Sequence, residues 1–196
     1  MNVFLLLDRS GSMSTRWNEA INAINSYVSK LRFGDNIYIA LFDGESYDVI
    51  RDGDVKGFVA LNPLEYSPRG STPLYDSCAK MISTAEQRNA EKTIIVIMTD
   101  GEENTSKEYS KEAIDAKMKT LDSRGWEVIF LGADFKNVEV VSSSLSRMSS
   151  KTMNLGAGNY IRGMDSLASS SMAYASGVAM NFSDDLKKDI GSTSKG

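Results

Sequence analysis

Residues 3–12 read Val-Phe-Leu-Leu-Leu-Asp-Arg-Ser-Gly-Ser, an apolar run that stops at a carboxylate. Five consecutive apolar residues are typical of a central parallel strand that is covered on both faces. Directly after the run, the carboxylate of Asp8 and the hydroxyls of Ser10 and Ser12 stand at alternate positions. Hard oxygen ligands of this kind suit Mg²⁺, which prefers octahedral oxygen coordination with few carboxylates. The stretch therefore predicts a buried strand with a candidate metal site at its carboxyl end.

Strands and helices alternate along most of the chain. Apolar patterns predict further strands at 37–42, 47–50, 93–98, 127–131 and 153–155, and helices at 17–31, 73–85, 111–121, 138–148 and 164–180. The short link between the second and third strands predicts an antiparallel hairpin at the edge of the sheet. This order predicts an α/β fold, with a doubly wound, Rossmann-like, mostly parallel sheet, one antiparallel edge strand and helices on both faces.

The composition is that of an ordinary globular domain. The chain has 196 residues, of which 41% are hydrophobic and 24% charged, with a formal net charge of −4. One domain is the default at this length, and we expect it to span residues 1–182, followed by a polar tail at 183–196. The mild negative charge and the lack of a Lys/Arg block argue against nucleic acid and an anionic membrane surface as partners.

Histidine and cysteine usage excludes several kinds of site. The chain has no histidine, which excludes Ser-His-Asp and Cys-His catalysis by this chain alone and disfavours zinc. Its single cysteine, Cys78, can form no intramolecular disulfide and lies in a helical pattern, so we expect a buried structural thiol. With no signal peptide and no apolar run long enough to cross a membrane, we expect a cytoplasmic protein.

Two later segments can complete the site that begins at Asp8. Residues 69–73 read Arg-Gly-Ser-Thr-Pro where a loop enters a helix, and residues 99–102 read Thr-Asp-Gly-Glu after a buried strand. In the usual doubly wound order the first and fourth strands are neighbours. Asp8 and Asp100 would then face each other at the carboxyl edge of the sheet, where such folds bind ligands.

With these three segments the chain resembles the von Willebrand factor type A (VWA) family over about residues 2 to 180. The family's metal-ion-dependent adhesion site is written Asp-x-Ser-x-Ser, with a Thr and an Asp from two later loops. Its counterparts here are Asp8, Ser10, Ser12, Thr72 and Asp100. The resemblance implies an intact site for Mg²⁺, although Mn²⁺ accepts the same oxygen ligands.

The resemblance also implies what the metal is for. In the family, an Asp or Glu of a partner protein can take the open coordination position, so that the metal bridges two proteins. Stand-alone bacterial members are linked to ATPase chaperones, which makes such a chaperone one candidate partner here. We therefore expect a protein-interaction module rather than an enzyme.

Other interpretations of the same residues stay open. Asp8 could cap the next helix, Thr72 could be an N-cap before Pro73, and Asp100 with Gly101 could form a tight turn. A bound metal could also serve a hydrolase or a phosphoryl-transfer enzyme, although no histidine is present to act as a general base. A third alternative is an assembly component of a phage or mobile element.

Overall fold

The computed structural model describes residues 1–100, 103–133, 152–156, 158–183 and 186. Within that part of the chain the strands are β1 Asn2–Asp8, β2 Asn36–Phe42, β3 Tyr47–Asp54, β4 Thr93–Thr99, β5 Glu127–Ala133 and β6 Thr152–Leu155. They form one sheet in the order β3-β2-β1-β4-β5-β6. Every neighbouring pair is parallel except β2 and β3, which form the predicted antiparallel edge hairpin.

Helices cover both faces of this sheet. In the described residues they are α1 Trp17–Ser29, α2 Leu74–Arg88, α3 Lys111–Ser123 and α4 Tyr160–Ala175, with short 3-10 helices at Gly11–Thr15 and Val55–Gly57. Alternate side chains of β1 point to opposite faces: Leu5 and Leu7 pack in the core with α1 and α4, and Phe4 and Leu6 pack with α2 and α3. The predicted α/β class and two-sided burial of β1 are confirmed.

The sheet order places a crevice between the ends of β1 and β4. After β1 the chain builds β2 and β3 on one side, and it then returns to add β4 on the other side. The connections therefore diverge at this point, which is where doubly wound sheets bind ligands. The parallel register pairs Leu7 with Met98, so Asp8 and Thr99 are neighbours at the carboxyl edge and Asp100 follows directly.

Helix α4 differs from its predicted span of 164–180 at both ends. It begins earlier, at Tyr160, whose backbone N–H donates a hydrogen bond to the Glu19 carboxylate of α1 (3.0 Å). It ends short of the predicted limit because Gly177 adopts a left-handed conformation (φ +95°) and closes the helix with a bond to the Tyr174 carbonyl. The Glu19 contact joins distant parts of the chain, so helical periodicity could not reveal it.

Other predictions meet the structure as follows. Strand β3 continues past its predicted end at residue 50.

Cys78 is 1% exposed, which confirms the buried thiol, and burial raises its pKa. The predicted helix at 138–148 and nearly all of the predicted tail at 183–196 lie outside the described residues. No helix in the described part of the chain is both long and apolar enough to cross a membrane.

Candidate metal centre

The first loop of the site is organised by Asp8, the last residue of β1. Its side chain is fully buried, and Oδ1 accepts a hydrogen bond from the Ser10 backbone N–H (2.7 Å). This contact turns the chain out of the sheet and into the 3-10 helix that begins at Gly11. The turn brings the hydroxyls of Ser10 and Ser12 within 3.0 Å of each other. Three of the predicted ligands therefore lie in one compact turn.

The loop after β4 joins this group through Asp100. Its Oδ1 accepts a hydrogen bond from the Ser12 hydroxyl (2.7 Å), although the two residues are 88 positions apart in sequence. Asp8, Ser10, Ser12 and Asp100 thus belong to one hydrogen-bonded group at the carboxyl edge of β1 and β4.

Thr72, the fifth predicted ligand, is held near this group by its own loop. The backbone N–H of Gly11 bonds to the carbonyl of Gly70 (3.2 Å), and that of Arg69 bonds to the carbonyl of Arg9 (2.8 Å). Thr72 is 2% exposed, and among the described residues nothing forms a hydrogen bond with its hydroxyl. The structure therefore packs the Thr72 loop against the Asp8 loop without a hydrogen bond between Thr72 and the other four residues.

Burial makes both carboxylates costly to ionise without a cation. It raises the pKa of Asp8 to about 6, despite hydrogen bonds from the Thr99 hydroxyl and from Ser10, and the charge of Asp100 adds to the rise. Burial also raises the pKa of Asp100, against the opposing effects of the Ser12 hydroxyl and the positive Arg16. A cation between the two carboxylates would offset this desolvation cost.

The donor set fits a hard divalent cation. It comprises two carboxylates and three hydroxyls, and the Thr72 hydroxyl has no hydrogen-bond partner among the described residues. Among the described residues there is no group of three or more His, Cys, Asp or Glu side chains that could hold a metal. A metal at this edge would therefore depend on hydroxyl oxygens, which suits Mg²⁺ or Mn²⁺ and not zinc.

Two of the simpler interpretations can be compared with the local geometry. The N-cap position of α2 belongs to Pro73, and no side chain of that position caps the helix, so Thr72 is not its N-cap. Asp8 binds the N–H of Ser10, which precedes the 3-10 helix, and does not cap α1. A turn of Asp100 with Gly101 involves a residue outside the described part of the chain.

Thr99 and Arg9 hold the Asp8 loop in place, a role that was not predicted for either residue. The Thr99 hydroxyl donates to Asp8 Oδ2 (2.6 Å), a contact that the parallel register of β1 and β4 could have suggested. The Arg9 guanidinium, with a side chain only 7% exposed, forms ion pairs with Asp43 (2.6 Å) and Asp48 (2.8 Å) on the β2–β3 hairpin. No local pattern pairs Arg9 with residues so far along the chain.

Comparison with known proteins identifies the family. The family model of the von Willebrand factor type A domain matches residues 2–171. The chain belongs to the von Willebrand factor type A family. Domains of this family are typically adhesion or protein-interaction modules and commonly bind a divalent metal at the adhesion site. Among curated proteins, no sequence matches this VWA chain.

Solved structures share the VWA fold at low sequence identity. Proximal thread matrix protein 1 of the mussel byssus is 14% identical (TM-score 0.67), with 88% of this chain and 45% of that protein aligned. The von Willebrand factor domain of a type V pilus tip protein from Porphyromonas gingivalis is 11% identical (TM-score 0.69; 94% and 98% aligned). The pilus adhesin SpaC of Lactobacillus rhamnosus GG is 12% identical (TM-score 0.69; 97% and 30%). The chain thus spans less than half of the mussel protein and of SpaC, and the likeness concerns the fold alone.

Proposed function

We propose that this VWA domain binds a protein partner through a Mg²⁺ ion held by Asp8, Ser10, Ser12, Thr72 and Asp100. The observation that carries the proposal is the hydrogen-bonded group that unites Asp8 with Asp100 through Ser10 and Ser12. Both carboxylates in this group are desolvated, and burial raises the pKa of each. Such a group is stable at neutral pH when a cation compensates its charge.

The charges of the five residues also support a proposal for the chemical group that the partner supplies. When bound, the metal supplies a Lewis-acidic position that takes an oxygen ligand. Since only Asp8 and Asp100 of the five residues carry charge, they balance the charge of a divalent ion without a net negative charge that would repel an incoming anion. We propose that the partner supplies the carboxylate of an Asp or Glu, as the family resemblance implies.

We also propose that the domain is not an enzyme. The Glu103 carboxylate, which lies three residues beyond Asp100, accepts backbone hydrogen bonds from Thr105 (2.8 Å), Ser106 (2.6 Å) and Tyr75 (3.0 Å). A carboxylate engaged in this way is poorly placed to accept a proton from a substrate. Screening phosphatase and nuclease substrates with Mg²⁺ tests this point, and turnover that disappears in Asp8→Ala would contradict it.

The cellular setting of the partner is a further proposal. We propose a cytoplasmic protein, because the single Cys78 thiol can form no internal disulfide. From the resemblance to stand-alone bacterial members, an ATPase chaperone is the partner class to test first.

A pull-down from native lysate tests the metal bridge. Wild-type protein in Mg²⁺ is compared with wild type in EDTA, with Asp8→Ala in Mg²⁺, and with Asp52→Ala as a control. Asp52 lies on β3, with a side chain 46% exposed, in a surface ion pair with Arg88. We expect a partner to be retained only by wild type and Asp52→Ala in Mg²⁺. Retention of the same partner in EDTA or by Asp8→Ala would contradict the proposal.

A further inference from the structure

Both backbone polar groups of Thr72 bind a single residue from another loop. The Thr72 N–H donates to Oδ1 of Asn104 (2.9 Å), and the Asn104 N–H donates to the Thr72 carbonyl (3.2 Å). The two bonds lie on either side of the Thr72 Cα. Together they fix the backbone that sets the direction of the Thr72 side chain.

Few other constraints act on this part of the Thr72 loop. Thr72 lies between the loop residue Ser71 and Pro73, outside any strand or helix, and α2 begins only at Leu74. The Thr72 hydroxyl has no hydrogen-bond partner among the described residues, so its position is determined by the backbone and by packing. The Ser71 hydroxyl adds one link, at 3.1 Å from that of Thr105.

Asn104 is itself anchored to the helix that follows Thr72. The neighbouring Glu103 carboxylate accepts hydrogen bonds from the backbone of Tyr75 (3.0 Å) and from the hydroxyl of Ser106 (2.6 Å). The Ser106 hydroxyl in turn lies within hydrogen-bonding distance of the N–H groups of Tyr75 and Asp76. Since Pro73 offers no side-chain cap, these contacts satisfy the N–H groups of Tyr75 and Asp76, in the first turn of α2, from outside the helix.

A second anchor runs in the opposite direction. The Asp76 carboxylate on α2 accepts hydrogen bonds from the backbone N–H groups of Lys107 (2.8 Å), Glu108 (3.1 Å) and Tyr109 (2.9 Å). Residues 103–109 and the start of α2 are therefore bonded in both directions, which leaves little freedom for Asn104 to move relative to Thr72.

We infer that Asn104 is a positioning residue of the metal site, holding Thr72 in the backbone conformation that points its hydroxyl at the metal. This inference rests on the proposed metal binding by Thr72. The hydrogen bonds between Asn104 and Thr72 link the loop after β4, which supplies Asp100, to the loop before α2, which supplies Thr72. Within the described part of the chain, the hydrogen bonds of Asn104 go to Thr72 and to neither carboxylate ligand.

Exposure makes the inference testable without unfolding the protein. Asn104 is exposed, so Asn104→Ala removes the side-chain bond to the Thr72 N–H without leaving a cavity in the core, and it keeps the backbone bond to the Thr72 carbonyl. Asn104→Asp keeps an acceptor oxygen at the same position. Asn36→Ala is the matched control, since Asn36 is also exposed and its side chain also makes one hydrogen bond, to Asn2 (3.2 Å), at the start of β1 and β2.

The experiment combines Mg²⁺ titration calorimetry with hydrogen exchange of the Thr72 amide in the metal-free protein. We expect Asn104→Ala to bind Mg²⁺ about 10-fold more weakly than wild type, as for other residues that orient metal ligands, and to exchange the Thr72 amide faster. Asn104→Asp should keep the amide protected, and Asn36→Ala should match wild type in both measurements.

Each contrary result has a separate meaning. Wild-type affinity in Asn104→Ala would overturn the inference and leave the proposed metal site standing. Weaker binding with unchanged exchange at Thr72 would also overturn it, because the effect would not act through Thr72. Absence of Mg²⁺ binding by the wild-type protein would overturn the proposed function itself, and the inference with it.

Discussion

The Thr99 hydroxyl donates a hydrogen bond to the Asp8 carboxylate across neighbouring strands β1 and β4, with Oγ1 2.6 Å from Oδ2. The other carboxylate oxygen accepts the N–H of Ser10 (2.7 Å). Each oxygen of Asp8 thus accepts a hydrogen bond from a neighbouring protein group, and a carboxylate oxygen can accept more than one. The carboxylate is oriented by the fold before any metal binds.

Replacing Thr99 by Val should therefore weaken metal binding. Val keeps the β-branched shape in the strand but removes the donor, so the Asp8 carboxylate loses its orientation and its pKa rises further. We expect Mg²⁺ affinity, measured by calorimetry at about pH 7.5, to fall about 10-fold. Thr99→Ser, which keeps the hydroxyl, is the control and should stay close to wild type. Equal affinities for Thr99→Val and wild type would show that this hydrogen bond is not needed.

Asp8→Asn should stabilise the metal-free protein at neutral pH. The pKa of Asp8 is about 6 in the folded state against an ordinary value of 3.8, so the folded state binds the proton more tightly than the unfolded state. The loss of folding stability caused by the ionised Asp8 is absent below about pH 3.8. It grows as the pH rises and is complete above about pH 6. Removing the charge should raise the free energy of unfolding of the metal-free protein by about 1–3 kcal/mol at pH 7.

Urea unfolding in EDTA at pH 7 and pH 4 measures this effect. We expect Asp8→Asn to be the more stable protein at pH 7, with the difference largely closed at pH 4. Addition of Mg²⁺ should raise the unfolding midpoint of wild type and leave that of Asp8→Asn unchanged. A variant less stable than metal-free wild type at pH 7 would contradict the assigned cost of burying this charge.

The ion pair between Arg9 and Asp43 should contribute to stability as well as to the site. Both side chains are nearly inaccessible, at 7% and 0% exposure, so Asp43→Ala leaves a buried guanidinium without its closest carboxylate. Loss of one partner of a buried pair costs about 3 kcal/mol. Asp48→Ala removes the second carboxylate that pairs with Arg9. The Asp48 side chain is 45% exposed, so this variant should lower the free energy of unfolding by less than about 1 kcal/mol. Comparable losses in urea unfolding for the two variants would contradict this assignment.

Acid should weaken the same ion pair. Burial favours the neutral form of Asp43, but hydrogen bonds from the Glu45 N–H and from Arg69 and Arg9 outweigh it and lower the pKa below the usual 3.8. A lowered pKa contributes stability that is present above the unfolded-state value and is lost as the pH falls through the folded-state value. Between pH 5 and pH 2, about the span of this transition, wild type should therefore lose more stability than Asp43→Ala. Parallel pH profiles would contradict the assignment.

Gly44 is expected to resist substitution because of its contact with the Thr72 loop. A Cβ at this position would overlap the Ser71 hydroxyl and lie 3.3 Å from the Ser71 backbone nitrogen. We expect Gly44→Ala to cost about 1–3 kcal/mol and to weaken Mg²⁺ binding by displacing the residue next to Thr72. Adding Ser71→Ala to Gly44→Ala removes the overlapping oxygen. The double variant should recover part of the lost stability and part of the lost Mg²⁺ affinity.

Gly57→Ala is the control for that substitution, since a Cβ added at Gly57 would have nothing within 4 Å of it. It should change neither the unfolding free energy nor the Mg²⁺ affinity by a measurable amount. Wild-type behaviour of Gly44→Ala in both measurements would show that the Thr72 loop tolerates displacement.

Local sequence patterns were enough to predict the α/β class, the antiparallel edge hairpin and the grouping of Asp8 with Ser10 and Ser12. These features depend on local patterns: apolar runs define buried strands, turn residues end them, and a strand followed by polar residues places those residues at the sheet edge. The prediction that Asp8 and Asp100 lie close together followed from the usual doubly wound strand order. The structure has this order, with β1 beside β4.

The contacts that orient those residues depend on the tertiary fold and could not be predicted from local patterns. The contacts between Arg9 and Asp43, between Asn104 and Thr72, and between Glu19 and the start of α4 each join loops or helices more than 30 positions apart. Side-chain periodicity carries information about which face is buried, but it carries none about which distant loop lies opposite. The candidate ligands could therefore be predicted from local sequence, whereas the residues that hold them in place required the folded chain.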